Sequence, residues 1–312
     1  MKIWHHALED APYRSGPTVV TLGNFDGVHM GHRALLTAAV QRAKERGMPA
    51  AVVTFDPHPA VVVATHRKPL LLSTLTQRLA VFEALGVDIA WVIPFNRTVS
   101  QLSAQLFLAT LDKVLEPVEL HVGRSFRFGR ERLGDMVVLE EWGMTSGCRI
   151  QSYAFKAHDD GVLSSTRIRG VLQQGDVDEA ARLLGQPFVL TGVVVEGDRR
   201  GRHLGFPTAN LQWDQEQIPG AGVYVTEVRG ARLGQAHLGL TNVGEKPTFQ
   251  GTTTSVETFL PDFEGDLYGT RLELAFLHRI RGEQRFDGVD ALREQIAQDV
   301  TAGQAWWSVN RG

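Results

Sequence analysis

The chain has 312 residues, 43% of them hydrophobic and 21% charged, which excludes a disordered polymer and allows two domains with separate cores. Lys and Arg total 32 against 35 Asp and Glu, a net charge of −3, and that near-balance argues against a dedicated nucleic-acid binder. The single cysteine, Cys148, excludes an intrachain disulfide and a multi-cysteine zinc site and fits a reducing compartment.

The opening residues, MKIWHHALEDAPYRSG, include acids and no apolar stretch of signal-peptide length. Other apolar runs, such as Ala60–Ala64, are strand-length, far from the ~20 residues of a membrane helix. The expected address is the cytoplasm, with no membrane partner.

In chain order, Thr18–Leu22 reads as a strand that breaks at Gly23. Ala34–Arg46 reads as a helix stopped by Gly47, with Leu35, Ala39 and Arg42 on one face and Leu36, Val40 and Ala43 beside them. Ala50–Phe55 is a strand ended by Pro57. Thr76–Leu85 is helix, Ile89–Ile93 strand, Leu102–Leu115 helix and Val118–Val122 strand. This alternation predicts an α/β layer, a Rossmann-like, mostly parallel sheet covered by helices, with ligands at the carboxyl ends of the strands. From Leu184-Gly185-Gln186-Pro187 onward the pattern changes. Val189–Val195, Val223–Val228, Val256–Leu260 and Leu272–Leu277 read as strands with few helices between them, which predicts an antiparallel β-barrel. A helix over Val289–Val300 follows. The expected domains are 1–185 and 186–312.

Residues 20 to 36, VTLGNFDGVHMGHRALL, place Gly23, Gly27 and Gly31 around a strand-to-helix turn. His29 and His32 stand three apart where the helix begins, so both imidazoles share one side of its first turn. Exposed N–H groups there favour an anion, and two imidazoles beside them can donate to a polyphosphate. The matching chemistry is nucleotidyl transfer, in which an already ionised phosphate attacks ATP and no general base is required. A metal pair or two ordinary surface histidines fit the spacing as well, although no third zinc ligand is evident. In SSTRIR (164 to 169), Ser164 or Ser165 can cap a helix and, with Arg167 and Arg169, form a second anion site; an ordinary cap with two solvated arginines is the simpler alternative. The cluster Arg124, Arg127, Arg130 and Arg132 is read as a solvated or phosphate-facing loop rather than a nucleic-acid surface.

In the second half, GDRRGRHLGFPTANL (197 to 211) offers a glycine-rich cationic loop. Thr208 and Asn210 supply hard oxygen donors suited to Mg²⁺, though an Asn/Thr turn after proline has the same look. Glu257, in SVETFL, alternates onto the face opposite Val256 and Thr258. It is either a solvated strand residue or a general base for an alcohol attacking ATP.

The segments GNFDGVHMGH, TFDPHP (54 to 59), FRFG (126 to 129) with Gly134-Asp135, and SSTRIR occur in this order. Together they resemble the adenylyltransferase module of the bacterial bifunctional riboflavin kinase/FMN adenylyltransferase (FAD synthetase) family. GRHLGFPTANL, Asn242-Val243-Gly244 with KPTF, VETF, DLYG and RGEQRF resemble the riboflavin kinase module, so the likeness covers nearly the whole chain. The resemblance implies that ATP phosphates meet His29, His32, Ser165, Thr166 and Arg169, with Gly23, Asn24, Phe25 and Gly31 around the nucleotide. It implies flavin contacts from Asp56, His58, Ser125, Phe126 and Arg281, with Pro57 nearby. In a six-stranded barrel it implies Thr208 and Asn210 as Mg-ATP ligands, Gly201 and Gly205 in the ATP loop, and Glu257 as the catalytic base. Riboflavin, FMN and ATP would be the small-molecule partners and FAD the final product, with no nucleic acid; a homo-oligomer is open. Three positions depart from the family pattern. Ser125 replaces Asp or Asn, Lys246 replaces Arg, and Phe259 replaces a frequent His. Lysine keeps the charge but not the bidentate fork. Two rival readings are a single-activity nucleotidyltransferase with a flavin-sensing barrel, and a non-catalytic flavin-binding regulator. The full set of site residues in both halves argues against each.

Overall fold

A computed structural model describes residues 1–8, 15–64, 68–155, 161–197, 201, 204–248 and 251–311, without the side chains of 245–248, 251 and 252. By contact the chain divides into two compact units, Met1–Thr166 and Arg167–Gly312.

The first unit is a parallel sheet of β1 (Lys2–His5), β2 (Thr18–Leu22), β3 (Ala50–Asp56), β4 (Ile89–Pro94), β5 (Pro117–Gly123) and β6 (Arg149–Tyr153), in the order β1-β4-β3-β2-β5-β6. Residues 18–22 and 89–93 are all buried, because helices cover both faces and no strand position is left to water. One face holds Val20, Leu22, Val53 and Trp91 against α5 (Ala104–Leu115) and α6 (Met136–Ser146). The other packs Val19 and Val52 on Leu35, Leu36, Ala39 and Val40 of α1 (Met30–Arg46). The remaining helices of this unit are α2 (Pro59–Val63), α3 (Leu75–Ala84) and α4 (Arg97–Ser100), and α7 (Ser165–Gln173) begins at its end.

Strand order reverses beside β2: the chain runs outward to β3 and β4 on one side and to β5 and β6 on the other. The loops after β2 and β5 therefore diverge, which opens a crevice at the carboxyl end of the sheet.

The parallel sheet and the barrel appear as expected from the sequence, with local differences. Helix α1 starts at Met30 rather than Ala34, because the His29 side chain serves as its cap. Helix α3 starts at Leu75 rather than Thr76, behind a Thr74/Gln77 capping box, and α5 starts at Ala104 rather than Leu102, behind a Ser103 cap. The run at Ala60–Ala64 falls in α2, a helical turn with Pro59 in its first positions.

The second unit carries α8 (Val177–Leu184) and a closed barrel of β7 (Phe188–Val195), β8 (Thr208–Trp213), β9 (Gly222–Gly230), β10 (His237–Thr248), β11 (Gly251–Phe259) and β12 (Arg271–Gly282). Leu272, Leu274 and Phe276 point inward as their alternation requires. Three buried hydroxyls, Thr226, Thr241 and Thr258, bond in a row across β9, β10 and β11 at 2.8 and 2.9 Å. The final helix α9 extends over Val289–Arg311, beyond the expected end at Val300. Its Val300, Trp306 and Trp307 cover Val225, Leu240 and Leu277 on the outer face of the barrel. Among the described residues no helix is long and apolar enough to cross a membrane.

Candidate active sites

In the first unit the loop after β2 is built from uncommon backbone. Phe25, Gly27 and Val28 have φ of 53°, 78° and 38°, a left-handed region that costs a side-chain-bearing residue free energy. The surroundings hold it there. Asp26 Oδ1 accepts from the backbone N–H groups of Leu72 and Ser73 at 2.9 and 3.2 Å, and the Gly27 N–H donates to Ser73 Oγ at 2.9 Å. The Asn24 carbonyl accepts from Arg78 Nη1 at 2.9 Å and from Thr54 Oγ1 at 3.3 Å. Phe25 is fully buried, edge-on to His32 and Phe82. Gly23 lies under its ring, where a Cβ would sit 3.0 Å away.

His29 and His32 form the next layer. Their rings stack at 3.7 Å with 13° between planes, and His29 Nδ1 accepts from the His32 backbone N–H at 3.3 Å. That bond leaves Nε2 of His29 as the protonated nitrogen in the neutral ring. Burial pushes the His29 pKa down to about 4. Burial, and then the neighbouring imidazole, hold His32 well below its usual value. Both rings are therefore neutral at physiological pH and meet an anion as N–H donors. His32 Nδ1 is buried with no partner among the described residues. Phe155 faces both rings edge-on at 6.2 Å. Gly31 sits beneath Phe155, where a Cβ would come within 2.6 Å of the ring.

Other expected residues of the first unit lie beyond the carboxyl ends of its strands. Ser165 Oγ donates to the Asp26 carbonyl at 2.9 Å, which ties SSTRIR to the β2 loop, with Thr166 next in the chain. Asp56 ends β3 and pairs with Arg78 Nη2 at 3.5 Å, and its side chain is 43% exposed. His58 caps α2, its Nδ1 accepting from the Ala60 N–H at 3.1 Å. Ser125 is exposed in the turn after β5, and Phe126 stacks on Phe128 at 5.6 Å. Arg127 of the basic cluster is engaged by Asp135, the cap of α6, at 2.6 Å. Arg169 belongs to the second unit. The sequence reading missed Arg78, because a buried arginine on a helix has no motif of its own, and gave no role to Asp26 although it lies within GNFDGVHMGH.

In the barrel, Glu257 of β11 pairs in register with Asn210 of β8 and, on its other side, with Asn242 of β10. Cross-strand partners share a face, so two amides flank the carboxylate on the outer surface of the barrel. Thr208, two residues before Asn210, donates its hydroxyl to Glu257 Oε2 at 3.1 Å. Gly197 approaches Asn210 so closely that a Cβ would lie 2.4 Å from its amide. A Cβ on Gly201 would lie 2.4 Å from the Phe206 carbonyl and 3.4 Å from Thr208 Oγ1. Gly205 adopts φ 88°, and Phe259 packs edge-on against Phe206 at 5.4 Å. Arg281 is held elsewhere: its Nε and Nη2 donate to the buried Asp299 carboxylate of α9 at 2.9 and 2.8 Å. The loop cations Arg199, Arg200, Arg202 and His203, and the Lys246 side chain, lie outside the described residues.

Thr208, Asn210 and Glu257 offer a hydroxyl, an amide oxygen and a carboxylate, a hard donor set that suits Mg²⁺. Among the described residues no group of three or more His, Cys, Asp or Glu could enclose a metal by itself.

Comparison with known proteins gives concordant matches. Residues 12–167 match the FAD synthetase family model, and residues 184–307 match the riboflavin kinase model. The chain is 38% identical over 308 residues to the bifunctional riboflavin kinase/FMN adenylyltransferase of Escherichia coli strain K12, covering 98% of this chain and 97% of that one. It is 36% identical over 301 residues to the protein of the same description from Bacillus subtilis, covering 95% and 93%. A crystal structure from Streptococcus pneumoniae, described as a macrolide-efflux protein, superposes with a TM-score of 0.88 at 31% identity, covering 98% of this chain and 100% of that one.

Proposed function

Since the chain belongs to the bifunctional riboflavin kinase/FMN adenylyltransferase family, we propose a division of its residues between the two reactions. The enzyme phosphorylates riboflavin to FMN with ATP and adenylates FMN to FAD with release of pyrophosphate. We set the functional boundary at 185/186, where the Gly185 cap ends α8 just before β7.

Kinase chemistry belongs to the barrel. The terminal hydroxyl of the ribityl chain has too high a pKa to attack unaided, so Glu257 takes its proton as the oxygen bonds to the γ-phosphorus and ADP leaves. Thr208 fixes one oxygen of that carboxylate. Thr208 and Asn210 would hold Mg²⁺, which neutralises phosphate charge when bound. The row Asn210–Glu257, with Thr208 bonded to the carboxylate, is the observation that carries this assignment.

Adenylyl transfer belongs to the β2 loop and α1. The FMN phosphate is already an anion and attacks the α-phosphorus directly. The protein's work is alignment and charge stabilisation. His29 and His32 donate from neutral rings, together with N–H groups of the loop and the hydroxyls of Ser165 and Thr166; Arg169 adds a cation. Asp56, His58, Ser125 and Phe126 border the flavin. Arg281, its guanidinium oriented by Asp299 of α9, is assigned to the flavin as well. An ATP-dependent enzyme without a long apolar helix among its described residues fits the cytoplasm.

The metal assignment is tested by titrating Mg²⁺ in the riboflavin kinase assay. Asn210→Ala is expected to need ~10-fold more Mg²⁺ for half-maximal rate. An unaltered midpoint would remove Asn210 from the metal site.

A further inference from the structure

We infer that Arg78 is a positioning residue for adenylyl transfer, holding the Asn24 carbonyl and with it the Gly23–Val28 loop in the conformation that meets the nucleotide phosphates. The inference rests on the assignment of the Gly23–Val28 loop to ATP.

Arg78 lies on α3 and is 3% exposed. A buried guanidinium is costly unless its donors and its charge are matched. Here every acceptor belongs to the rim of the site. Nη1 donates to the Asn24 carbonyl at 2.9 Å, to Thr54 Oγ1 at 3.1 Å and to the Phe55 carbonyl at 3.3 Å, and Nη2 pairs with Asp56 at 3.5 Å. One side chain thus fastens the loop after β2 to the end of β3, joining the segments GNFDG and TFDPHP. Two of its acceptors belong to the buried residues Thr54 and Phe55 and two to the half-buried Asn24 and Asp56.

The consequence follows from peptide geometry. The Asn24–Phe25 peptide is trans, so its N–H points opposite to its carbonyl. With the carbonyl bound by Arg78 and Thr54, the Phe25 N–H points away from both of them. The left-handed φ of 53° at Phe25 is a conformation the loop does not prefer. Without Arg78 the peptide is released to rotate, and the preorganised conformation of the loop is lost.

The test uses the full chain, with its riboflavin kinase activity as an internal control. Arg78→Met is expected to raise the KM for ATP in FMN adenylylation by ~10-fold or more, with kinase kinetics within about two-fold of wild type. Arg78→Lys, which restores a buried cation and donor, is expected to recover the KM to within about three-fold. In ¹⁵N spectra, a non-hydrolysable ATP analogue should shift the Phe25 amide in the wild type and not in Arg78→Met. A wild-type KM in Arg78→Met, or a Phe25 amide that the analogue shifts there as it does in the wild type, overturns the role. Should Arg78→Met fail to fold, Thr54→Val, which removes the other donor to the same carbonyl, is expected to raise the same KM by ~3-fold or more, and a wild-type KM there overturns the role equally. His32→Ala run in parallel separates the two levels. If it too adenylates normally, the loop assignment falls and the Arg78 role with it; if it is inactive while Arg78→Met and Thr54→Val are normal, only the Arg78 role falls.

Discussion

Thr208 Oγ1 donates its hydrogen to Glu257 Oε2 at 3.1 Å, which leaves the lone pairs of the same hydroxyl pointing away from the carboxylate. One small side chain thereby orients the base and remains able to ligate a cation. Thr208→Val, which keeps the shape and removes the hydroxyl, is expected to lower the kcat/KM of riboflavin phosphorylation by ~100-fold. Thr208→Ser is expected to retain most activity. Steady-state kinetics of the two variants check this, and equal loss in both would point to packing rather than to the hydroxyl.

Gly197 has a specific reason to lack a side chain. A Cβ there would meet the Asn210 amide at 2.4 Å, closer than atoms pack. Gly197→Ala should therefore push Asn210 off its register with Glu257. The expected result is a ~10-fold higher KM for Mg-ATP in the kinase reaction and unchanged FAD formation from FMN. Kinase kinetics like wild type would show that the amide moves without consequence.

Acid should destabilise the first unit through its histidines. The His29 pKa is lowered from 6.5 to about 4 by burial, so between these values the unfolded chain binds a proton that the folded chain does not. Stability is therefore lost as pH falls from 6.5 to about 4, by on the order of 3 kcal/mol for this residue. His29→Asn keeps a capping side chain and removes the titration. Urea unfolding at pH 7 and pH 5 should show a smaller drop in the variant than in the wild type. Equal drops would place the acid sensitivity elsewhere.

Much of the architecture was legible because burial writes itself into hydrophobic pattern. The β-branched, mostly apolar run Thr18–Leu22 reads as a strand covered on both sides, and the alternation in Leu272–Leu277 fixed an inward face. The strands β1, β6, β8 and β10 were not read. Lys2–His5 and Arg149–Tyr153 lie at the sheet edges, with polar residues and partial exposure, so no period stands out. Thr208–Trp213 begins with the residues of the kinase site, and function there displaces the apolar pattern. The histidine pair was visible in spacing alone. Its neutral, stacked state was not, since it depends on Phe25 and Phe155 closing over it from distant parts of the chain. The partner of Arg281 was not legible either, since Asp299 stands eighteen residues further on, in α9.

The division of labour is tested most directly by following flavins chromatographically in two single variants given ATP and Mg²⁺. His32→Ala supplied with riboflavin should accumulate FMN and make no FAD. Glu257→Gln should make nothing from riboflavin yet convert supplied FMN to FAD at the wild-type rate. Loss of both reactions in either folded variant, or full FAD synthesis from riboflavin in either, would contradict the assignment of one reaction to each half of the chain.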